Sequence, residues 1–141
     1  MKTFISHSVN ETEEFAAQLA QALRPGDVLA FRGGMGAGKT AFIRGLARGL
    51  EVTGEVSSPT FALVHEHNGK IPLFHFDLYR ITSLEDLYST GYFDYLDRSG
   101  ILAVEWSEQI EGILDEKTIL ITLETLGETS RKITVEGDER F

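Results

Sequence analysis

Apolar and polar residues follow two rhythms along the chain, one helical and one of strands. Phe15, Ala16, Leu19, Ala20 and Leu23 fall at helical spacing. Asn10, with Glu13 three residues on, reads as the N-cap of that helix in a capping-box arrangement, and Pro25-Gly26 ends it. Ahead of it, residues 2–7 predict a short first strand. Residues 27–32 are apolar in their middle, as in a strand buried in a parallel sheet. Residues 39–50 return to helical spacing, with Phe42, Ile43, Leu46 and Leu50 on one face.

In the second half, residues 61–67 and 71–79 read as strands on either side of Asn68-Gly69, a hairpin signal. Ser83 opens a short helix over 83–90, with Glu85 and Asp86 in its first turn. Residues 101–104 form a buried strand running into Glu105-Trp106. Two last strands, 117–125 and 131–136, flank a turn at Gly127. Strand–helix units come first and antiparallel pairs later, which predicts a mixed sheet flanked by helices, in the α/β class.

The length, 141 residues, suits one domain over 1–141. The absence of cysteine excludes disulfides, thiolate catalysis and cysteine-bound metal centres. The first residues carry no secretory signal, and no apolar run is long enough to span a bilayer, so a soluble, cytoplasmic chain is expected. A net charge of −9 opposes direct binding to phosphate backbones, and Arg131-Lys132 is the one adjacent basic pair. Any work on RNA or DNA therefore goes through a partner; otherwise the charge serves solubility alone.

Chemistry concentrates in residues 33–40. Gly33, four intervening residues, then Gly38-Lys39-Thr40 match the phosphate-loop pattern in full, between an expected strand and an expected helix. Glycines let the backbone enclose an anion with its N–H groups. The helix start adds its dipole and unpaired donors. Lys39 supplies a point charge to the β- and γ-phosphates, and the Thr40 hydroxyl ligates magnesium. The contact set is Gly33, Gly34, Met35, Gly36, Ala37, Gly38, Lys39, Thr40 and Ala41.

Such a site needs a carboxylate at a strand end. Glu105, after four apolar residues, and Asp77, in His75-Phe76-Asp77-Leu78-Tyr79-Arg80, both qualify for a magnesium or water-activating role. Thr60, in Ser57-Ser58-Pro59-Thr60, is either a contact to magnesium or the γ-phosphate or part of a plain turn. Trp106 either packs over the site, meets a partner or joins the core. Arg80 either stabilises transition-state charge or forms a salt bridge. His65 and His67 share a strand face, which would suit a metal pair, but ordinary surface or core positions fit them better. No Asn-Lys-x-Asp segment occurs, which favours ATP over GTP. Thr12 and the Arg131-Lys132 pair are possible walls for the base.

Residues 33–40, Ser58-Pro59-Thr60-Phe61, His75-x-Asp77-Leu78-Tyr79-Arg80 and Val104-Glu105-Trp106 occur in the order and spacing of the TsaE (YjeE) family, which the chain resembles over almost its whole length. That resemblance implies a single P-loop NTPase-like domain with a mixed, mainly parallel sheet. It implies an ATPase, weak alone, that acts with TsaB and TsaD in threonylcarbamoyladenosine modification of tRNA. TsaD carries the transfer, and the family resets the complex between turnovers. Carried over, Lys39 and Thr40 hold phosphate and magnesium, Thr60 is switch-like, Asp77 and Glu105 surround magnesium and water, and Trp106 belongs with them. Many members have Asp-Leu where this chain has Gly34-Met35, and Thr where it has Ala41. Two other classes compete: a small-molecule kinase, disfavoured by scattered arginines and no evident lid, and a nucleotide-dependent binding module, disfavoured by Glu105.

Overall fold

The computed structural model describes residues 1–34, 36–52, 64–78, 81, 83–105, 112, 114, 116–137 and 140–141. Strands β1 (Lys2–Ser6), β2 (Val28–Arg32), β3 (Val64–His67), β4 (Leu73–Asp77), β5 (Ile101–Glu105), β6 (Ile119–Thr125) and β7 (Arg131–Glu136) form one sheet in the order β1-β7-β6-β2-β5-β4-β3. The pairs β6–β2, β2–β5 and β5–β4 are parallel. Antiparallel pairing adds β3 at one edge and β7, then β1, at the other. This is the mixed α/β sheet expected from the order of the elements. No helix among the described residues is long and apolar enough to cross a membrane.

Helices α1 (Val9–Ala20) and α2 (Lys39–Gly49) cover one face; α3 (Leu84–Ser89) and α4 (Tyr92–Leu96) cover the other. The period of two in each strand assigns side chains to faces. Leu73, Ile101 and Ala103 join the core beneath α1 and α2, while Phe74, Phe76, Leu102 and Val104 join the core beneath α3 and α4. By the same alternation His75 and Asp77 follow Leu73, and Glu105 follows Ala103, onto the α1–α2 side.

Several boundaries differ from the sequence expectation. Helix α1 is capped by Ser8, not Asn10: the Ser8 hydroxyl accepts from the Glu11 amide, and the Glu11 carboxylate accepts from the His7 amide (3.0 Å). The chain carries two overlapping cap signals. In the first turn the Thr12 hydroxyl bonds that of buried Ser6 (2.7 Å) and docks the helix on β1. The β3–β4 hairpin forms, but its connection is residues 68–72 and not a two-residue turn. Gly69 lies against the end of α2, where a Cβ would sit 3.0 Å from the Leu50 carbonyl oxygen. Helix α4, set off by Gly91 at φ +80°, is too short to show a period and was not expected.

Helices α1 and α2 touch backbone to backbone. A Cβ at Gly45 would lie 2.7 Å from the Ala16 Cβ, and one at Gly49 would lie 2.6 Å from the Ala20 Cβ. Gly45→Ala gains about 1 kcal/mol of helix propensity but overpacks this contact at a cost of about 1–3 kcal/mol. A net fall in the urea midpoint is expected, with Gly127→Ala, where a Cβ meets nothing within 4 Å, as the control. A Gly45→Ala protein as stable as the control would contradict the close approach.

Candidate functional site

Strand β2 runs into the glycine loop, and the loop runs into α2. Gly33, Gly36 and Gly38 have φ of +146°, +77° and +99°, conformations that a side chain strains. Gly38, the N-cap of α2, supplies no side-chain hydrogen bond to the helix start. Gly33 also lies against β6: a Cβ there would sit 2.7 Å from the Leu123 carbonyl oxygen.

Two cations brace the loop. Lys39 is buried, and its Nζ donates to the Gly33 carbonyl at 2.9 Å, across the mouth of the turn. Arg131 Nη2 donates to the Gly36 carbonyl at 3.1 Å. The same guanidinium's Nη1 donates to the Gly127 (2.8 Å) and Ser130 (2.9 Å) carbonyls, so the β6–β7 turn and the loop share one strut.

A cavity of about 760 Å³ opens between this loop, the start of α1 and the β6–β7 turn. Residues 36–41 line it, as do Thr12 and Arg131, two of the walls foreseen for a base. Gly33 and Gly34 lie outside its wall, and so does Lys132, which alternation along β7 turns to the other face of the sheet. Asp77 and Glu105 are register partners on the adjacent parallel strands β4 and β5, and both line the cavity. The ends of parallel strands are where α/β sheets hold ligands. Met35, Thr60, Arg80 and Trp106 lie outside the described residues.

Sequence reasoning missed the partner of Glu105. The His75 Nε2–H donates to Glu105 Oε2 at 2.6 Å, and both groups are buried. The signal was available: His75 precedes Asp77 by two and so shares its face. Reading it required knowing that β4 and β5 are neighbours. Arg131 is legible as a wall for the base, but its tie to Gly36 depends on β7 pairing with β6 and β6 with β2.

The site residues suit a magnesium–nucleotide complex. The cavity falls within the range that small-ligand pockets occupy, roughly 300–1,000 Å³. No cluster of three or more His, Cys, Asp or Glu able to hold a metal occurs among the described residues, which includes His65, His67 and His75. Magnesium needs no such cage; one or two carboxylates and substrate phosphates commonly suffice. Asp77, Glu105 and Thr40 line one cavity together and are the residues that would offer such oxygens.

His67 stands apart from this site's chemistry but carries a prediction. Burial, above all, holds its imidazole below the ordinary 6.5. The unfolded chain then binds a proton at this ring at higher pH than the folded chain does. Its contribution to stability is complete above 6.5 and is lost as pH falls from there through the depressed folded value. Urea midpoints at about pH 7.5 and about pH 5.5 should differ less in His67→Leu than in the unaltered protein. An equal difference would contradict it.

The fold and site define an α/β protein with a glycine-rich strand–loop–helix unit facing two carboxylates at the ends of parallel strands. The family model described as "Threonylcarbamoyl adenosine biosynthesis protein TsaE" matches residues 6–133. The chain belongs to the TsaE family, whose members take part in tRNA threonylcarbamoyladenosine biosynthesis. It is similar to proteins named "tRNA threonylcarbamoyladenosine biosynthesis protein TsaE" from Treponema pallidum and Bacillus subtilis. The former is 37% identical, covering 93% of this chain and 97% of the relative. The latter is 41% identical, covering 95% and 85%. The crystal structure of Bacillus subtilis YdiB superimposes with a TM-score of 0.78 at 31% identity, covering 99% of this chain and 86% of that one.

Proposed function

We propose that this chain binds magnesium–ATP at residues 33–41, hydrolyses it slowly to ADP and phosphate, and acts with TsaB and TsaD in cytoplasmic threonylcarbamoyladenosine modification of tRNA. One observation carries the reading: Lys39 and Thr40 open a helix at a glycine turn, and Asp77 and Glu105 line the same cavity. In this reading Lys39 attracts the β- and γ-phosphates, and the glycine turn keeps side chains out of their path. Thr40 and Asp77 hold the magnesium, which when bound offsets phosphate charge. Glu105 orients the attacking water and accepts its proton. Thr12 and Arg131 flank the base. Thr60, Arg80 and Trp106 belong to the same proposed site on the strength of the family motifs. The acidic charge of the chain supports indirect access to tRNA through the partners.

The test is reconstitution of tRNA modification with TsaB and TsaD over many turnovers, with and without this chain, while ADP is followed. Modification beyond the first turnover should need the chain and consume ATP. Equal yields in its absence would overturn the proposed role.

A further inference from the structure

We propose that His75 is the positioning residue for Glu105, fixing the orientation of the one carboxylate that the proposed hydrolysis most needs. The inference rests on that reading of the site and deepens it. Asp77 and Glu105 occupy directly paired positions on β4 and β5, where two like charges on one face repel. The Glu105 side chain instead reaches back diagonally along the strands to His75. The position paired with His75 is Ala103, and its small side chain leaves room for that diagonal.

The ring's other nitrogen identifies the proton. His75 Nδ1 is buried and has no hydrogen-bond partner. A buried N–H without an acceptor is the rarer and costlier defect, whereas a lone pair without a donor is better tolerated. The proton therefore sits on Nε2, and the ring is a donor dedicated to Glu105 Oε2. One carboxylate oxygen is thereby pinned inside the sheet. Glu105 still lines the cavity, so its second oxygen is the one offered to water. A carboxylate held in this way loses little rotational freedom when the reaction demands one geometry.

Steady-state ATP turnover of His75→Leu should fall about 10–100-fold, the usual cost of removing such a supporting hydrogen bond. KM for ATP should change by less than about threefold, because the contact acts on the chemical step and not on binding. His75→Gln, whose amide places a donor near the original Nε2, should recover most of the rate, which a purely structural role does not predict. Nitrogen NMR of the nucleotide-free protein gives a readout independent of turnover. It should place the His75 proton on Nε2, and Glu105→Gln should move that resonance upfield, because a neutral acceptor binds it less strongly. A proton on Nδ1, or unchanged turnover in a folded His75→Leu protein, would overturn the proposal. If the unaltered protein bound no nucleotide, the reading of the whole site would fail, and with it this role. The tautomer measurement separates that failure from a wrong assignment of His75.

Discussion

Lys39→Met is expected to lose nucleotide affinity by about ten- to a hundredfold while keeping the fold. The ammonium group is the one cation that the loop itself carries, and it is held inside the turn by the Gly33 carbonyl. A charge-assisted hydrogen bond to phosphate is worth about 1.5–3 kcal/mol, and 2.8 kcal/mol corresponds to ~10²-fold in affinity. Methionine retains the apolar stem of the side chain, which is buried at the start of α2. The folded state loses the charge-assisted hydrogen bond to Gly33, about 1.5–3 kcal/mol, against a typical total of about 5–15 kcal/mol. Calorimetry for binding and a thermal melt for stability read the two effects separately. Unchanged affinity would remove Lys39 from the phosphate site. A collapsed melt would mean that its main role is structural.

Glu105→Gln should leave binding near normal and reduce hydrolysis at least ~10²-fold, the scale of general acid–base catalysis. Glutamine is the sharper substitution because its carbonyl can still accept from His75 Nε2, so the buried donor keeps a partner. Glu105→Ala would add about 1–3 kcal/mol of destabilisation by orphaning that donor. Single-turnover rates with saturating nucleotide report the chemical step directly. If affinity for magnesium–ATP fell by the same factor as the rate, Glu105 would be assigned to the metal and Asp77 would be the better candidate to act on water.

The parts of the fold written in local pattern were legible in the sequence. The amphipathic stripe of Phe42, Ile43, Leu46 and Leu50 gave α2, and all four are buried. The alternation over residues 131–136 predicts the last strand, and β7 spans them. The glycine loop was legible because its residues are contiguous and its chemistry needs them so. What escaped depends on contacts distant in sequence. Two overlapping cap signals start α1, and Glu13, which would complete the later one, is instead paired with Arg44 of α2. The close approach at Gly45 and Gly49 requires knowing that α1 lies opposite. The same is true of the site: Asp77 and Glu105 were each recognisable as strand-end acids, but their direct pairing, and His75 beneath them, follow from β4 and β5 being neighbours.

The most direct measurement is an isothermal titration of the nucleotide-free protein with magnesium–ATP, run beside Lys39→Met. Saturable binding of one nucleotide per chain, lost or strongly weakened in the variant, is the expected result. No heat at millimolar ligand with the unaltered, folded protein would contradict the assignment of residues 33–41 as a triphosphate cradle.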